Sequence, residues 1–342
     1  MDTNSPYDYF NELDDTEQID LVIDKSKRKG KLPPRNPRKI AQPDQQFVHG
    51  QDDSASGFKY TYKAARFEEW WLLDSLGDFY EHKWISDVLK RVKGGKEASV
   101  YLCLAGTEVA TDLIAAKVYR PRSLRNLKND HIYRAGRADF DSEGRKITDK
   151  GMAHAMYKKT EYGKALLHQS WIAYEYTSME KLFSAGADVP QPFTMAHNAI
   201  LMSFIGDLDG GAPALSEISL DRQEAVKLFD RTLANIDTLL SCGVIHGDLS
   251  AYNILYWEGA ITLIDFPQVV APFENKNALS IFQRDVRRVC EYFSRQGVKA
   301  NDRRIAADIW TSRGYPIMEE MDVRLLDEND PKDRELWKTR HK

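Results

Sequence analysis

The chain has 342 residues and carries 48 Lys+Arg against 52 Asp+Glu, a formal charge of −4. Hydrophobic residues make up 42%, enough to bury one large domain or two ordinary ones, and the charge balance excludes a generally basic nucleic-acid binder. No stretch approaches the roughly 18 consecutive apolar residues of a membrane span. The acidic start MDTNSPYDYFNELDD lacks the apolar run of a signal peptide, so a cytoplasmic protein without membrane contact is expected. Cys103, Cys242 and Cys290 have no paired spacing, which argues against a disulfide framework or zinc site and fits a reducing compartment.

Residues 1–24 hold eight acids and no base, and 25–39 (KSKRKGKLPPRNPRK) eight bases and no acid. Segregated charge with few large apolar residues predicts a disordered tail over 1–55. Its basic block is either a solvated run neutralised by its acidic neighbour or a contact for RNA, a ribosome or an acidic partner. From Arg66 apolar residues recur at helical spacing: Trp70, Leu73, Leu76, then Trp84, Ile85, Val88 and Leu89. Residues 56–90 are therefore expected to form a helical extension, interrupted near Gly77. SVYLCLA (99–105) and DLIAAKVYR (112–120) read as strands joined by a hairpin loop. Residues 120–165 are polar and weakly patterned, the signature of a flexible loop, with six bases over 120–137 opposed by Asp130. A helical period returns over 165–185, before Gly186 at a C-cap. AILMSFI (199–205) reads as a strand and 220–242 as a long helix. NILYW and AITLID flank Glu258-Gly259 as a hairpin, 278–296 reads as a helix, and 319–342 as a charged tail.

The chemistry concentrates in HGDLSAYN (246–253) and IDF (264–266). Asp248 and Asn253 lie five apart in a loop, and Asp265 ends a strand twelve residues further on. Phosphoryl transfer needs a carboxylate to orient the acceptor hydroxyl, and oxygen ligands for Mg²⁺, or Mn²⁺ in its place, bridging the phosphates of ATP. Asp248 suits the first task; Asn253 and Asp265 suit the second. Upstream, Gly94-Gly95-Lys96-Glu97-Ala98-Ser99-Val100 enters the first strand. Its glycines allow a backbone to approach phosphate closely, or serve an ordinary β-turn. Lys117, set in an apolar strand, needs an anionic partner, and Glu175 and Glu180 are the candidates.

Together, GGKEASVY, AAKVYR, HGDLSAYNIL and IDFPQ resemble the RIO family of atypical serine/threonine protein kinases, nearest to its RIO-one-type branch, over about residues 85 to 300. The resemblance implies an α+β, two-lobed protein-kinase-like fold: a β-rich N-lobe over 91–204 with a flexible loop at 120–165, and a mostly helical C-lobe over 205–318. It implies ATP and Mg²⁺ as cofactors. By its distance to Gly186, Glu175 matches the helix glutamate that pairs with Lys117 on the α/β-phosphates. Gly94 to Ser99 would cover the triphosphate with Val100 also at the cofactor, Met202 would be the gatekeeper, and Ser203 to Ile205 would meet the adenine. Asp248 would be catalytic, and Asn253 and Asp265 the metal ligands. In eukaryotic members the metal-binding aspartate can itself be phosphorylated in an ATPase switch of small-subunit ribosome maturation, which would make Asp265 catalytic as well.

Some features depart from ordinary kinases. Gly247 stands where most have Arg, and only nineteen residues separate Asp265 from Asp285, too few for a normal activation loop. Asp285 resembles the helix aspartate that braces the catalytic loop. Asp-Phe-Pro-Gln replaces the Asp-Val-Ser-Gln often seen in the branch. Two other readings share the motifs. One is an aminoglycoside- or choline-type small-molecule kinase. The other is a nucleotide-gated assembly factor that contacts RNA or a ribosomal surface through 25–39 and 120–137.

Overall fold

The computed structural model describes residues 57–95, 97–120, 139–141, 143–316 and Asp330. The expectations for the 1–55 tail, Lys96, the loop residues 121–138 and all of the C-terminal tail but Asp330 lie outside the described residues.

Helix α1 (Arg66–Glu81) leads into an antiparallel sheet of β1 (Ile85–Gly94), β2 (Ala98–Ala105) and β3 (Leu113–Tyr119). Helices α2 (Lys150–Lys158) and α3 (Glu161–Ser184) follow, and β4 (Pro192–Met195) and β5 (Ala199–Ser203) complete the sheet in the order β1-β2-β3-β5-β4. Strand β3 is buried on both faces, and alternation decides what each face meets. Ile114, Ala116 and Val118 join Leu72, Leu76 and Phe79 of α1, whereas Ala115 and Tyr119 join Ile172, Met179 and Leu182 of α3. Lys117 shares parity with the second set, so it faces α3.

Gly77 lies within α1 rather than breaking it, and the apolar group from Ile85 to Leu89 belongs to a strand instead of a second helix. The reason is a bulged register. β1 slips against β2 between Ile85 and Asp87, Val88 and Lys90, and Arg91 and Lys93. Each slip shifts the inward alternation, leaving buried Ile85 and Val88 three apart, a helix-like spacing. The sheet thus begins at Ile85 rather than at residue 91. The stretch read as a loop over 120–165 contains α2, whose N-terminus Asp149 caps through Met152 N at 2.7 Å. Thr160 caps α3 through Gly163 N at 3.0 Å, four residues earlier than periodicity alone places the helix start.

The second lobe contains α4 (Arg222–Ser241), the hairpin β6 (Ile254–Trp257) and β7 (Ala260–Leu263), α5 (Ala278–Arg295) and α6 (Asp302–Ser312). Asp221 caps α4 through Gln223 N and Glu224 N. The hairpin turns at Glu258-Gly259, both at positive φ (48° and 79°), as a two-residue turn of that hand requires. Phe229, Ile236, Phe266, Phe282, Val286, Phe293 and Trp310 form the core that fixes α5 beneath the loop 246–253.

Candidate active site

Lys117 Nζ donates to Glu175 Oε1 at 2.5 Å and to Asp265 Oδ1 at 2.7 Å. Glu180 instead accepts from Tyr176, which settles the partner of Lys117 as Glu175. Glu175 also accepts from Tyr119 Oη at 2.6 Å and from Phe266 N at 3.3 Å. One carboxylate on α3 thereby ties β3 to the segment carrying Asp265. Burial alone would lower the Lys117 ammonium, but the Asp265 and Glu175 carboxylates outweigh it and raise its pKa. Burial pushes Asp265 the other way, yet Lys117 beside it holds its carboxyl below the usual range. The Asp265 side chain is 44% exposed against 1% for Glu175, so Asp265 is the member of the trio open to a ligand. Asp265 also holds φ at +70°, a left-handed conformation that Asp tolerates better than most residues.

The loop 246–253 supplies the second half. Asn253 Nδ2 donates to the Asp248 carbonyl at 2.9 Å, and its own carbonyl accepts from Ile264 N at 2.9 Å. His246 Nε2 donates to the Ile264 carbonyl at 3.0 Å, leaving Nδ1 to accept from Asp248 N at 3.3 Å. The Asp248 carboxylate receives Arg288 Nη1 at 2.9 Å. Burial raises the Asp248 carboxyl, with Arg288 as the largest opposing influence. Beneath the loop, buried Asp285 accepts from Gly247 N at 2.8 Å, and Arg284 Nη2 donates to the Gly247 carbonyl. Gly247 sits at φ +84°, where an added Cβ would lie 2.1 Å from the Gln268 carbonyl oxygen, so no arginine fits there.

The glycine stretch is the β1–β2 turn, closed by Gly95 N to the Ala98 carbonyl at 2.8 Å. Val100 pairs with Lys117 across the ladder, and Ala98 and Val100 pack with the α3-side core. Ser99, opposite Val118, is buried on the α1 side, so its side chain turns away from Lys117. Met202 is buried opposite Ala115, on the Lys117 face. Ser203 is occupied by Gln191, whose amide it accepts at its hydroxyl and whose carbonyl it donates to. Sequence reasoning left out Arg284, Arg288 and Tyr119. The first two stand on α5 with Asp285, and their partners, the Gly247 carbonyl and Asp248, lie about forty residues earlier in the chain, where no local pattern points to them.

A lysine on a five-stranded sheet, a helix glutamate pairing with it, and an aspartate beyond a β-hairpin, facing an Asp/Asn loop braced by a buried helix aspartate, define a two-lobed protein-kinase-like fold. A RIO domain model matches residues 117–305. The chain is 28% identical over 210 residues to the RIO-type serine/threonine-protein kinase Rio1 of Haloferax volcanii, covering 61% of this chain and 64% of that protein. It is 30% identical over 245 residues to the serine/threonine-protein kinase RIO1 of Chaetomium thermophilum, covering 67% and 44% respectively. For the rio1 kinase of Schizosaccharomyces pombe the identity is 28%, over 62% of this chain and 39% of that one. This chain belongs to the RIO family. The aligned stretch spans less than two thirds of each of these three relatives.

Proposed function

We propose that the chain is a RIO-type serine/threonine protein kinase, an ATPase, or both at one site, transferring the γ-phosphoryl group of ATP to a Ser or Thr hydroxyl, to its own carboxylate or to water. The observation that carries this reading is Lys117 held between buried Glu175 and cleft-facing Asp265, next to the Asp248/Asn253 loop. The donor set fits a magnesium nucleotide. Asn253 offers an amide oxygen and the half-exposed Asp265 a carboxylate, the hard oxygen donors suited to an ion that takes its other ligands from phosphate and water. When bound, Mg²⁺ would neutralise charge on the phosphate oxygens. Lys117 positions the α/β-phosphates, and Glu175 sets the direction of its ammonium. Around the β1–β2 turn, Gly94, Gly95 and Glu97 cover the triphosphate, while Ala98 and Val100 wall the nucleotide. Met202 backs the adenine, Ile205 faces it, and the contact of Ser203 falls to its carbonyl. Asp248 accepts the hydrogen bond of the acceptor hydroxyl and aims its oxygen at phosphorus. A loose transition state asks for this positioning more than for a strong base.

No helix among the described residues is long and apolar enough to cross a membrane. All three cysteines are free thiols, which supports placement in a reducing cytoplasm.

The test follows the γ-phosphate from labelled ATP in wild type, Asp248→Ala and Asp265→Ala. Acid-stable label on Ser or Thr supports the kinase, and hydroxylamine-labile label or free phosphate supports the ATPase. Both variants should lose turnover by orders of magnitude while remaining folded. Normal turnover in both would sink the assignment.

A further inference from the structure

Helix α5 presents a row of arginines that the site just described uses only in part. Arg288 donates to Asp248 and Arg284 to the Gly247 carbonyl. From Arg284 the same face continues through Arg287, Glu291 and Arg295, three or four residues apart and therefore aligned along the helix. The start of α6 lies against it with Asp302 and Arg303. Together they line an open groove of about 930 Å³, the size of a ligand site rather than of a few waters.

Charge decides what this groove accepts. Arg284, Arg287, Arg295 and Arg303 line it against Glu291 and Asp302. Glu291 is already paired with Arg287 at 3.6 Å. Arg295 and Arg303 are exposed and, among the described residues, meet no carboxylate within ion-pair distance. The groove also starts beside the phosphoryl-transfer site, because Arg284 both lines it and holds the residue preceding Asp248. Only twelve residues, 266–277, connect Asp265 to α5, so no long activation segment is available to dock a peptide.

We propose that this groove binds the acidic flank of a peptide acceptor whose Ser or Thr is presented to Asp248. The position of the acceptor rests on the function proposed above. Arg284 and Arg295 are eleven residues apart. At about 1.5 Å per helical residue that is about 16 Å, which an extended peptide spans in about five residues. Acidic residues are therefore selected within about five positions on one side of the acceptor. A peptide fits better than a nucleic-acid strand. The acceptor set against Asp248 is a side-chain hydroxyl, which a peptide carries, and its backbone offers amides and carbonyls to Ser280, Gln283 and Ser294 along the groove.

The test uses the full chain and fluorescein-labelled serine peptides carrying five Glu, five Gln or five Lys on either side of the serine, with binding read by anisotropy. The Glu peptide should bind the wild type about tenfold more tightly than the Gln peptide, with strong salt dependence. The triple variant Arg287→Glu/Arg295→Glu/Arg303→Glu should lose that preference and favour the Lys peptide. The single variant Arg303→Gln, at an exposed position, should show a partial loss with the fold intact. Equal affinity of wild type for Glu and Gln peptides overturns the proposal. So does an unchanged Glu-peptide affinity in both variants, or tight binding of oligouridylate with the Glu peptide left free. Binding needs no ATP, so selective binding of a Glu peptide that is never phosphorylated keeps the groove and removes the kinase reading.

Discussion

Replacing Glu175 by Gln tests the centre of the site, because the substitution removes charge without removing volume. Glu175 is 1% exposed and accepts from Lys117, Tyr119 and Phe266 N. A glutamine oxygen can still accept from Lys117, and the Tyr119 hydroxyl can rotate to accept from the new amide. What is lost is the buried ion pair. Breaking such a pair costs about 3–5 kcal/mol when a charge is stranded. Here Lys117 keeps Asp265 at 2.7 Å, so the loss should fall nearer that of a charge-assisted hydrogen bond. That is about 2 kcal/mol. At about 2–4 °C per kcal/mol for a domain of this size, the melting temperature should drop by about 4–8 °C. Turnover should fall further than stability. Held to α3 by a neutral hydrogen bond only, the Lys117 ammonium shifts toward Asp265, the carboxylate proposed to hold the metal, and misplacement of this kind costs about 10²-fold. Thermal unfolding and ATP turnover, measured on the same preparation, check both numbers. An unchanged melting temperature would refute the energetic reasoning, and full turnover would show that Asp265 alone positions Lys117.

Three further outcomes follow from geometry away from that ion pair. Gly247→Ala should destabilise by more than about 3 kcal/mol and abolish turnover, since left-handed strain of about 1–2 kcal/mol adds to the clash with Gln268. Gly259→Ala, at φ +79° with nothing within 4 Å, carries the strain alone and is the control in a denaturant titration. Burial raises the Cys103 thiol, and pushes the Cys290 thiol up to about 11. Half-buried Cys242 should therefore be the first thiol to react with a maleimide at neutral pH, as peptide mass spectrometry would show; rapid labelling of Cys103 in the native protein would contradict the packing. His197 is raised by its hydrogen bond with Asp74 at 3.3 Å, so its imidazole should titrate above about 6.5 by NMR and return toward that value in Asp74→Asn. The stabilisation from this pair is complete below the unfolded value and is lost as pH rises through the raised one.

The parts legible in the sequence are those where one local rule acts alone. An apolar strand around Lys117 pointed to an anionic partner, one of Glu175 and Glu180, and Glu258-Gly259 announced its hairpin. The string from His246 to Asn253 was legible because several of its bonds are local: Asp248 N to His246, Asn253 to the Asp248 carbonyl, and Ile264 N to the Asn253 carbonyl. Failures came where two rules compete. Three register slips in β1 imitated helical spacing. Short α2 has few apolar positions and takes its definition from a cap at Asp149, and β4 is four residues long. Arg288 was invisible for a different reason. Its role depends on α5 crossing beneath a loop forty residues earlier, which no local pattern records.

That crossing also explains how the loop is held rigid without the arginine common at position 247. Gly247 donates to Asp285 and accepts from Arg284, so both of its backbone groups are fixed by one helix. From the other side, Ile245 and Val270 exchange both amide bonds at 2.9 Å, and the Gln268 carbonyl fills the space a side chain at 247 would need. The chain just beyond Asp265, which in ordinary kinases begins a movable activation segment, is here a wall of the catalytic loop. A phosphate-sensing arginine would find neither room nor a segment to sense. On the function proposed above, control of such a site would act through what occupies it: the nucleotide proposed to lie between Lys117 and Asp265, and the acceptor proposed to lie against α5.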